Sequence, residues 1–463
     1  MATNQVVSIS AHESKKIILV REGQFSEAKG KDISPGKLTR TLSAFANADG
    51  GELYVGIDEV GQSKHRQWRG FDSIETANGH LQAIDGPFPL GQDCECEFIR
   101  CEAHPGLVLH VQVTKTKRIV KAANGLIYVR RGAQNLPIQT GEAMRRLEYC
   151  KGLTSFEIET VNVPISFITR SKPIQRFIKE VVPRAKPEEW LRKQVLIAAN
   201  KPTVAGVLLF GDEPQAALPK RCGIKIYRYK TTAKTGFREA LAFDPITVEG
   251  WLYEQIHDAV ARTTKEIERI PRMGDDALEA IIYPPEALHE IITNAVLHRD
   301  YSVADDVHIR IFDNRIEVES PGRLPAHITV KNILEERFAR NGSIVRILNK
   351  FPNPPNKDVG EGLNTAFSAM HKLGLREPLI AEKENSVWVV LRHEPLASPE
   401  ESILEYLETH ETINNATARQ VSHVAEDHRI RAIFRRMERK GLIRRTADSV
   451  TSNTRYRKLD PHS

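Results

Sequence analysis

The stretch 284-PPEALHEIITNAVLHRDY-301 decides how the chain reads. Its two prolines open a helix at Glu286, because first-turn positions have no intrahelical use for the missing N–H. Along that helix Leu288, Ile291, Ile292 and Ala295 form an apolar stripe. Glu290, Asn294 and His298 stand at i, i+4 and i+8 on a different face. Burying a carboxylate and an amide without partners costs several kcal/mol, so this polar face calls for partners that a ligand can supply. Two alternating segments follow, Val307-Ile309-Ile311 and Ile316-Val318, joined across Asp313-Asn314 as a hairpin. Upstream, the apolar run Val204 to Phe210, the strand-like Gly223 to Tyr229 and a helical stretch over about 248–267 give this part mixed α/β character.

Nearer the N-terminus, Phe25, Glu27 and Lys29 are two apart and share one face of an extended segment, which sets two opposite charges side by side. Residues 36–47 read as a helix with Leu38, Leu42 and Phe45 on one side, stopped by Asn47-Ala48-Asp49-Gly50-Gly51. A strand over 52–58 puts Leu53, Val55 and Ile57 on one face and Asp58 on the other. Further strands at 95–101, 106–114 and 126–131 and an amphipathic piece from Glu142 to Leu147 close an α+β domain near residue 148. The last part reads as helices over 401–408, 416–424 and 427–440, then Leu442-Ile443 and Tyr456 flanking a polar loop. The expected domains are therefore 1–148, a connector over 149–200, 201–396 and 397–463, an α+β multidomain chain.

Length agrees: 463 residues correspond to roughly three domains. With 40% hydrophobic and 27% charged residues the chain can bury ordinary cores, which excludes a mostly disordered protein. The excess of Lys and Arg over Asp and Glu, 66 − 60 = +6, permits polyanion binding and leaves the decision to local charge. The first residues lack a basic segment followed by an apolar one, and no apolar run of about 18 residues occurs. The expectation is a cytoplasmic protein without a membrane partner. Five cysteines are too few and too unevenly placed for a disulfide framework, so reduced thiols are expected. Cys94, Cys96, Cys101 and His104 lack the paired C-x2-C spacing of zinc knuckles, which favours a strand over a metal site.

The segment 290-EIITNAVLHRDY-301 resembles the N-box of the GHKL ATPases, in the divergent branch found beside Schlafen-type domains. The resemblance implies an α/β sandwich in which Asn294 coordinates Mg²⁺ on the phosphates of ATP and Glu290 orients or deprotonates water, roles suited to a hard cation and a general base. Downstream, 313-DNRIEVESPGRLP-325 resembles the second motif, with Ser320 and Gly322 beside the base and no aspartate at the place where the wider family has one. Arg340-Asn341 and 360-GEGL-363 resemble the lid and the second glycine box, implying Asn341, Gly360 and Gly362 as further nucleotide contacts. A homodimer is implied by the same analogy.

The stretches 22-EGQFSEAKG-30, 40-RTLSAFANADGG-51 and 52-ELYVGID-58 resemble the Schlafen AlbA-type domain. In Schlafen nucleases carboxylates hold Mg²⁺ or Mn²⁺ and cut RNA beside a lysine; the matching residues here are Glu22, Glu27, Asp58 and Lys29. Two alternatives stay open: Glu27 and Lys29 pair across one strand face, or the domain binds without cutting. Arg130 and Arg131, with Lys115, Lys117 and Arg118, are candidate contacts to a nucleic-acid backbone.

From Arg429 to Arg445 eight basic residues face one acid, Glu438. Ile430, Ile433, Phe434 and Met437 keep helical spacing, so Arg429, Arg431, Arg435, Arg436, Arg439 and Lys440 project outward. The segment 434-FRRMERKGLIRR-445 resembles the recognition helix and wing of a winged helix-turn-helix, implying DNA or RNA as partner. Three readings follow: an ATP-gated regulator binding DNA or RNA, an ATP-regulated metal-dependent endonuclease acting on RNA, tRNA or DNA in phage defence, and a scaffold whose basic tail docks an acidic protein.

Overall fold

The computed structural model describes residues 5–60, 65–89, 93–218, 221–273, 278–280, 283–355, 362–373, 375–392, 399–422, 427–446 and 454–459. The N-terminal domain is built on a five-stranded sheet in the order Val6–Ile9, Cys94–Cys101, Leu107–Val113, Gly51–Val55, Ser26–Lys29. Both edge strands run parallel to their neighbours, and the inner pairs are antiparallel. The helix Pro35–Asn47 covers one face, packing Leu38, Leu42 and Phe45 on Leu53, Leu109 and Val111. Ile17 and Ile18, at the end of the helix Ala11–Ile18, pack on the other face. Asn47 fastens the next segment to the domain: its Nδ2 donates to Val120 O (2.7 Å) and Tyr128 O (2.9 Å), and its Oδ1 accepts from Val120 N (2.8 Å).

The strand expected over 52–58 divides at Gly56, whose φ of +115° only glycine adopts comfortably and where a Cβ would fall 3.1 Å from Gly70 Cα. Past that kink Ile57–Val60 leaves the sheet and pairs with His65–Trp68. Asp58 therefore sits on a hairpin rather than on the sheet that carries Glu27.

The central part is a six-stranded sheet in the order Ile246–Val248, Ile224–Arg228, Val307–Ile311, Arg315–Pro321, Ser386–Arg392, Leu379–Glu382. The helices Leu252–Ile267, Pro285–Leu297 and Leu363–Lys372 pack together beside it. The stretch expected to be a connector is folded into this same core. Its helices Ser166–Thr169, Lys172–Val181 and Pro187–Lys193 contribute Ile168, Ile174, Phe177, Trp190 and Leu191 to it. Phe177 lies edge-on to Phe210 (5.3 Å between centroids) and to Phe351 (4.9 Å), which joins the two stretches in one aromatic cluster. The run Val204–Phe210 is a fully buried helix capped by Thr203, one of the short apolar runs in which periodicity cannot separate helix from strand.

The last part comprises the helices Pro399–Thr409, Asn415–Val421 and Asp427–Arg439 and a three-stranded sheet in the order Ile413–Asn414, Arg455–Lys458, Ile443–Arg445. It closes over its own core of Ile403, Ile413, Ile430, Phe434, Met437 and Ile443. The whole is an α+β multidomain protein, and no helix among the described residues is long and apolar enough to cross a membrane. Cys94 and Cys96 are buried on one face of the N-terminal sheet and Cys101 on the other, all as free thiols.

Candidate nucleotide site

The helix Pro285–Leu297 buries Leu288, Ile291, Ile292 and Val296 and turns its polar face to a cavity of about 900 Å³. That is the size of a site for a large small-molecule ligand. Glu290, Asn294, His298, Ser320, Gly322 and Gly362 all line it. The sheet supplies an apolar side through Val318, Val387 and Val389.

Asn294 Nδ2 donates to Glu290 Oε1 at 2.8 Å. This leaves Asn294 Oδ1 without a recorded partner among the described residues, an amide oxygen of the kind that hard cations take as a ligand. Glu290 is half-buried and has no cation partner among the described residues; burial raises its affinity for a proton, against the opposing effects of the Asn294 hydrogen bond and nearby His289. A carboxylate in that state is equipped to accept a proton from bound water. Burial, helped by Arg340, pushes His298 down to about 4, so its ring is neutral at pH 7.

Ser320 Oγ donates to Ala295 O at 2.6 Å and ties the strand Arg315–Pro321 to the helix, so its hydroxyl is already engaged at the cavity edge. Gly322 has φ +98°, and a Cβ there would fall 2.4 Å from Asp300 Cβ. Gly362, with φ +42°, starts the helix Leu363–Lys372, whose first residues Leu363, Asn364 and Thr365 line the cavity. A helix N-terminus there offers free N–H groups to an anion. Gly360 lies outside the described residues.

Asn341, expected as a nucleotide contact, does not reach the cavity. It is buried away from the cavity, donating from Nδ2 to Leu297 O (2.8 Å) and Arg299 O (2.9 Å). It satisfies carbonyls at the C-terminal end of the Asn294 helix, groups that such an end otherwise leaves orphaned, and is a support rather than a nucleotide contact.

In the N-terminal domain Glu22, Glu27 and Lys29 come together. Lys29 Nζ lies 2.6 Å from Glu27 Oε1 and 3.4 Å from Glu22 Oε1. Burial alone would lower the Lys29 pKa; the pairs with Glu27 and Glu22 outweigh it and raise it. Glu27 also pairs with Arg130 on its second oxygen, and Glu22 lies 3.4 Å from Arg66. Asp58 pairs with Arg69 (2.7 Å) and accepts from the backbone N–H of Lys31 (3.3 Å). Every one of the three carboxylates is thus matched by a cation. No group of three or more His, Cys, Asp or Glu side chains among the described residues is arranged to hold a metal ion.

Two expected backbone contacts give way. Arg130 has a side-chain exposure of 0%, donates to Glu27, Gly23 O and Asn135 Oδ1, and lies 4.9 Å over the Phe45 ring, so nothing outside the fold can reach it. Lys115 is buried against the central domain, where it donates to Leu324 O at 2.7 Å. Arg118 pairs with Asp93 (3.2 Å) and donates to Pro87 O. Arg131 stays 77% exposed, 3.6 Å from Glu384.

On the C-terminal helix Arg429, Arg431, Arg435, Arg436 and Arg439 face outward, with Lys440 just beyond. Arg431 pairs with Asp427 (2.5 Å) and Arg436 with Glu400. Sequence reasoning missed Arg455 and Arg457. They lie on one face of the strand Arg455–Lys458, and Arg457 stands directly opposite Arg444 in the antiparallel register. The alternation Arg455-Tyr456-Arg457-Lys458 was the available signal, since Tyr456 stacks inward on Phe434 (4.2 Å).

Fold and cavity together define a multidomain α+β chain with an ATPase-like sandwich at its centre. Residues 22–139 match the Schlafen AlbA_2 family, and residues 304–391 match a family described as "Putative ATP-dependent DNA helicase recG C-terminal", a GHKL-like ATPase domain. The helix carrying Glu290 and Asn294 lies just before the second match. These two domains make the chain a nucleic-acid-related, ATP-binding type of protein, and the ATPase-like domain is consistent with ATP and Mg²⁺. Among solved structures the chain is similar to the DIP2311 protein from Corynebacterium diphtheriae, at 17% identity over 92% of this chain and 91% of that one, with a TM-score of 0.41. No curated protein matches.

Proposed function

We propose that the protein is a regulator that binds ATP with Mg²⁺ in the cavity beside Asn294, and that closure over the nucleotide changes how its terminal domains engage DNA or RNA. The observation that carries this reading is the state of the polar face: Asn294 Oδ1 and the carboxylate of Glu290 line a cavity of nucleotide size without a counterion of the chain's own among the described residues. Mg²⁺, when bound, neutralises phosphate charge; Asn294 would hold it, and Glu290 would accept the proton of a water aligned beside it. The N-terminus of the helix Leu363–Lys372 faces the same space and suits phosphate oxygens. Closure over a ligand supplies contacts that differ between two states, which is what a gate requires. The arginines of the C-terminal helix and of the strand Arg455–Lys458 would grip the nucleic-acid backbone. Pairing of two chains through the ATPase-like domain belongs to this proposal by analogy.

The regulator reading is preferred to the endonuclease because Glu22, Glu27 and Asp58 already have cations at salt-bridge distance. The deciding experiment is an ATP titration of wild type and Asn294→Ala, read by nucleotide binding and by affinity for labelled RNA and DNA. In Asn294→Ala, nucleotide binding weakened by about 10–100-fold is expected, with the ATP effect on nucleic-acid affinity moved to correspondingly higher ATP. An ATP effect that persists in Asn294→Ala at the ATP concentrations that serve wild type would overturn the gate. Cleavage of either nucleic acid with Mn²⁺, abolished in Glu27→Ala and Asp58→Ala, would replace the regulator with the nuclease.

A further inference from the structure

One wall of the nucleotide cavity is also the seat of the N-terminal domain. Arg323, Leu324, Ile328 and Phe338 line the cavity. On the same segment Arg323 Nη1 donates to Asp49 Oδ2 at 2.7 Å and Arg323 Nε to Glu382 Oε1 at 3.1 Å. Lys115 Nζ donates to Leu324 O (2.7 Å) and Ile328 O (3.3 Å) and lies 3.8 Å from Asp49 Oδ1. Ala326 N donates to Cys150 O at 2.7 Å, and the Phe338 ring occupies the space at Gly152, where a Cβ would fall 2.0 Å from it. The side chains of Asp49 and Lys115 are only 9% and 8% exposed, so salt screens this joint weakly.

From Asp49 the polar contacts continue into the N-terminal domain. Gln24 Nε2 donates to Asp49 Oδ2 (3.0 Å) and to Arg130 O (3.4 Å), while Gln24 Oε1 accepts from Gly132 N (2.8 Å). The guanidinium of Arg130 holds Glu27, whose other oxygen holds Lys29. An unbroken series of polar contacts therefore runs from the cavity wall to the charged cluster on the edge strand Ser26–Lys29.

We infer that Asp49 is the residue through which the N-terminal domain senses occupancy of the cavity. This rests on the nucleotide reading above. Arg323 is held by two carboxylates on two domains at once, Nη1 by Asp49 and Nε by Glu382, so any displacement of its guanidinium is felt at Asp49. An anionic ligand that draws the guanidinium toward the cavity weakens its hold on Asp49. Asp49 then remains with Lys115 and Gln24, and Gln24 carries the change to the end of the strand Tyr128–Arg131 and to Gly132 after it.

The test uses the full chain. Dissociation constants for labelled RNA and DNA are taken with and without saturating Mg-ATP, in wild type and in Asp49→Asn, which removes the charge and keeps an acceptor for Gln24. Wild type is expected to show a ratio of about 5-fold or more between the two conditions. In Asp49→Asn the ratio falls to within about twofold, while ATP affinity without nucleic acid stays within about threefold, both small against a coupling of ordinary size. Gln24→Ala, one step further along the series, is expected to reduce the ratio as well and serves if Asp49→Asn fails to fold. An Asp49→Asn protein with the wild-type ratio overturns the inference. So does a wild type that binds ATP and nucleic acid with a ratio of one, which leaves the nucleotide site standing. Failure of wild type to bind ATP at all removes the nucleotide reading and the inference with it.

Discussion

Glu27 and Glu290 are both carboxylates withdrawn from water, and their surroundings differ in one respect. Glu27 is clasped between Lys29 and Arg130, with its side chain 4% exposed. Among the described residues Glu290 has the Asn294 amide as its hydrogen-bond partner and an open cavity in front of it. A buried carboxylate whose counterions come from its own fold has its charge balanced before any ligand arrives. One without a counterion among the described residues, as Glu290 is, has a raised pKa and a use for a cation from outside. The contrast separates a structural charge cluster from a binding site more sharply than residue type does, because both contain the acids and amides that metal chemistry employs.

The largest effect should come from undoing the balanced side. Glu27→Ala leaves the Arg130 guanidinium buried without its carboxylate and is expected to destabilise the protein by about 3–5 kcal/mol, read by urea unfolding. Adding Arg130→Met should recover a substantial part of that loss, since the orphaned charge goes with it. A cost below about 1 kcal/mol would place the pair in the class of exposed salt bridges and reopen Glu27 as a metal ligand.

On the unbalanced side, Asn294→Ala should weaken Mg-ATP binding by about 10–100-fold, the value of one interaction with a charged group. Chelating Mg²⁺ should weaken wild type by a similar factor and leave the variant nearly unchanged, because both remove the same contact. Calorimetric titrations in the two conditions check this. Two independent losses that simply add would take the cation away from Asn294.

How much of this was legible in the sequence depended on range. The Asn294 helix and the hairpin after it could be read because their patterns are local: apolar residues at i, i+3 and i+4, then alternation around Asp313-Asn314. Glu27 and Lys29 could be paired from their spacing of two on a strand. Arg130 could not be placed, because its burial depends on the hairpin Tyr128–Arg131 with Gln134–Pro137 lying beside the helix Pro35–Asn47, far away in the chain. Asn341 was misread for the same reason: the carbonyls it satisfies, on Leu297 and Arg299, are more than forty residues earlier. The stretch 149–200 looked like a connector because its apolar residues come in short helices, and only their convergence on Phe210 and Phe351 makes a core.

A third site extends the contrast to the C-terminal part. Arg444 and Arg457 face each other across two strands with no acid recorded opposite them among the described residues, and like charges directly opposed are mildly destabilising. If a polyanion completes them, the double variant Arg444→Ala and Arg457→Ala should weaken binding alike for all sequences. It should also reduce the slope of log affinity against log salt by about 1.8 on duplex DNA. An unchanged slope would assign the contact to Arg435 and Arg439 on the helix instead.

The smallest effect concerns a buried cation that lacks what Arg130 has. Lys151, at the end of the helix Gly141–Lys151, donates to Ala46 O, Thr116 O (2.8 Å) and Thr116 Oγ1 (3.2 Å) and has no carboxylate at salt-bridge distance among the described residues. Burial, followed by the charge of Lys115, pushes it from the ordinary 10.5 down to about 7. Because the folded pKa is the lower one, the cost of holding the ammonium is fully present below pH 7. It is relieved as pH rises from there toward 10.5, where the unfolded chain carries the extra proton. The stability of wild type relative to Lys151→Met should therefore rise with pH between about 7.5 and 9, at up to about 1.4 kcal/mol per pH unit for one proton. Parallel urea titrations of the two proteins across that range measure it. Curves that stay a constant distance apart would mean that three oxygen acceptors hold the charge as well as Glu27 holds Arg130, and the line drawn between balanced and unbalanced sites would then have to include backbone carbonyls among the counterions.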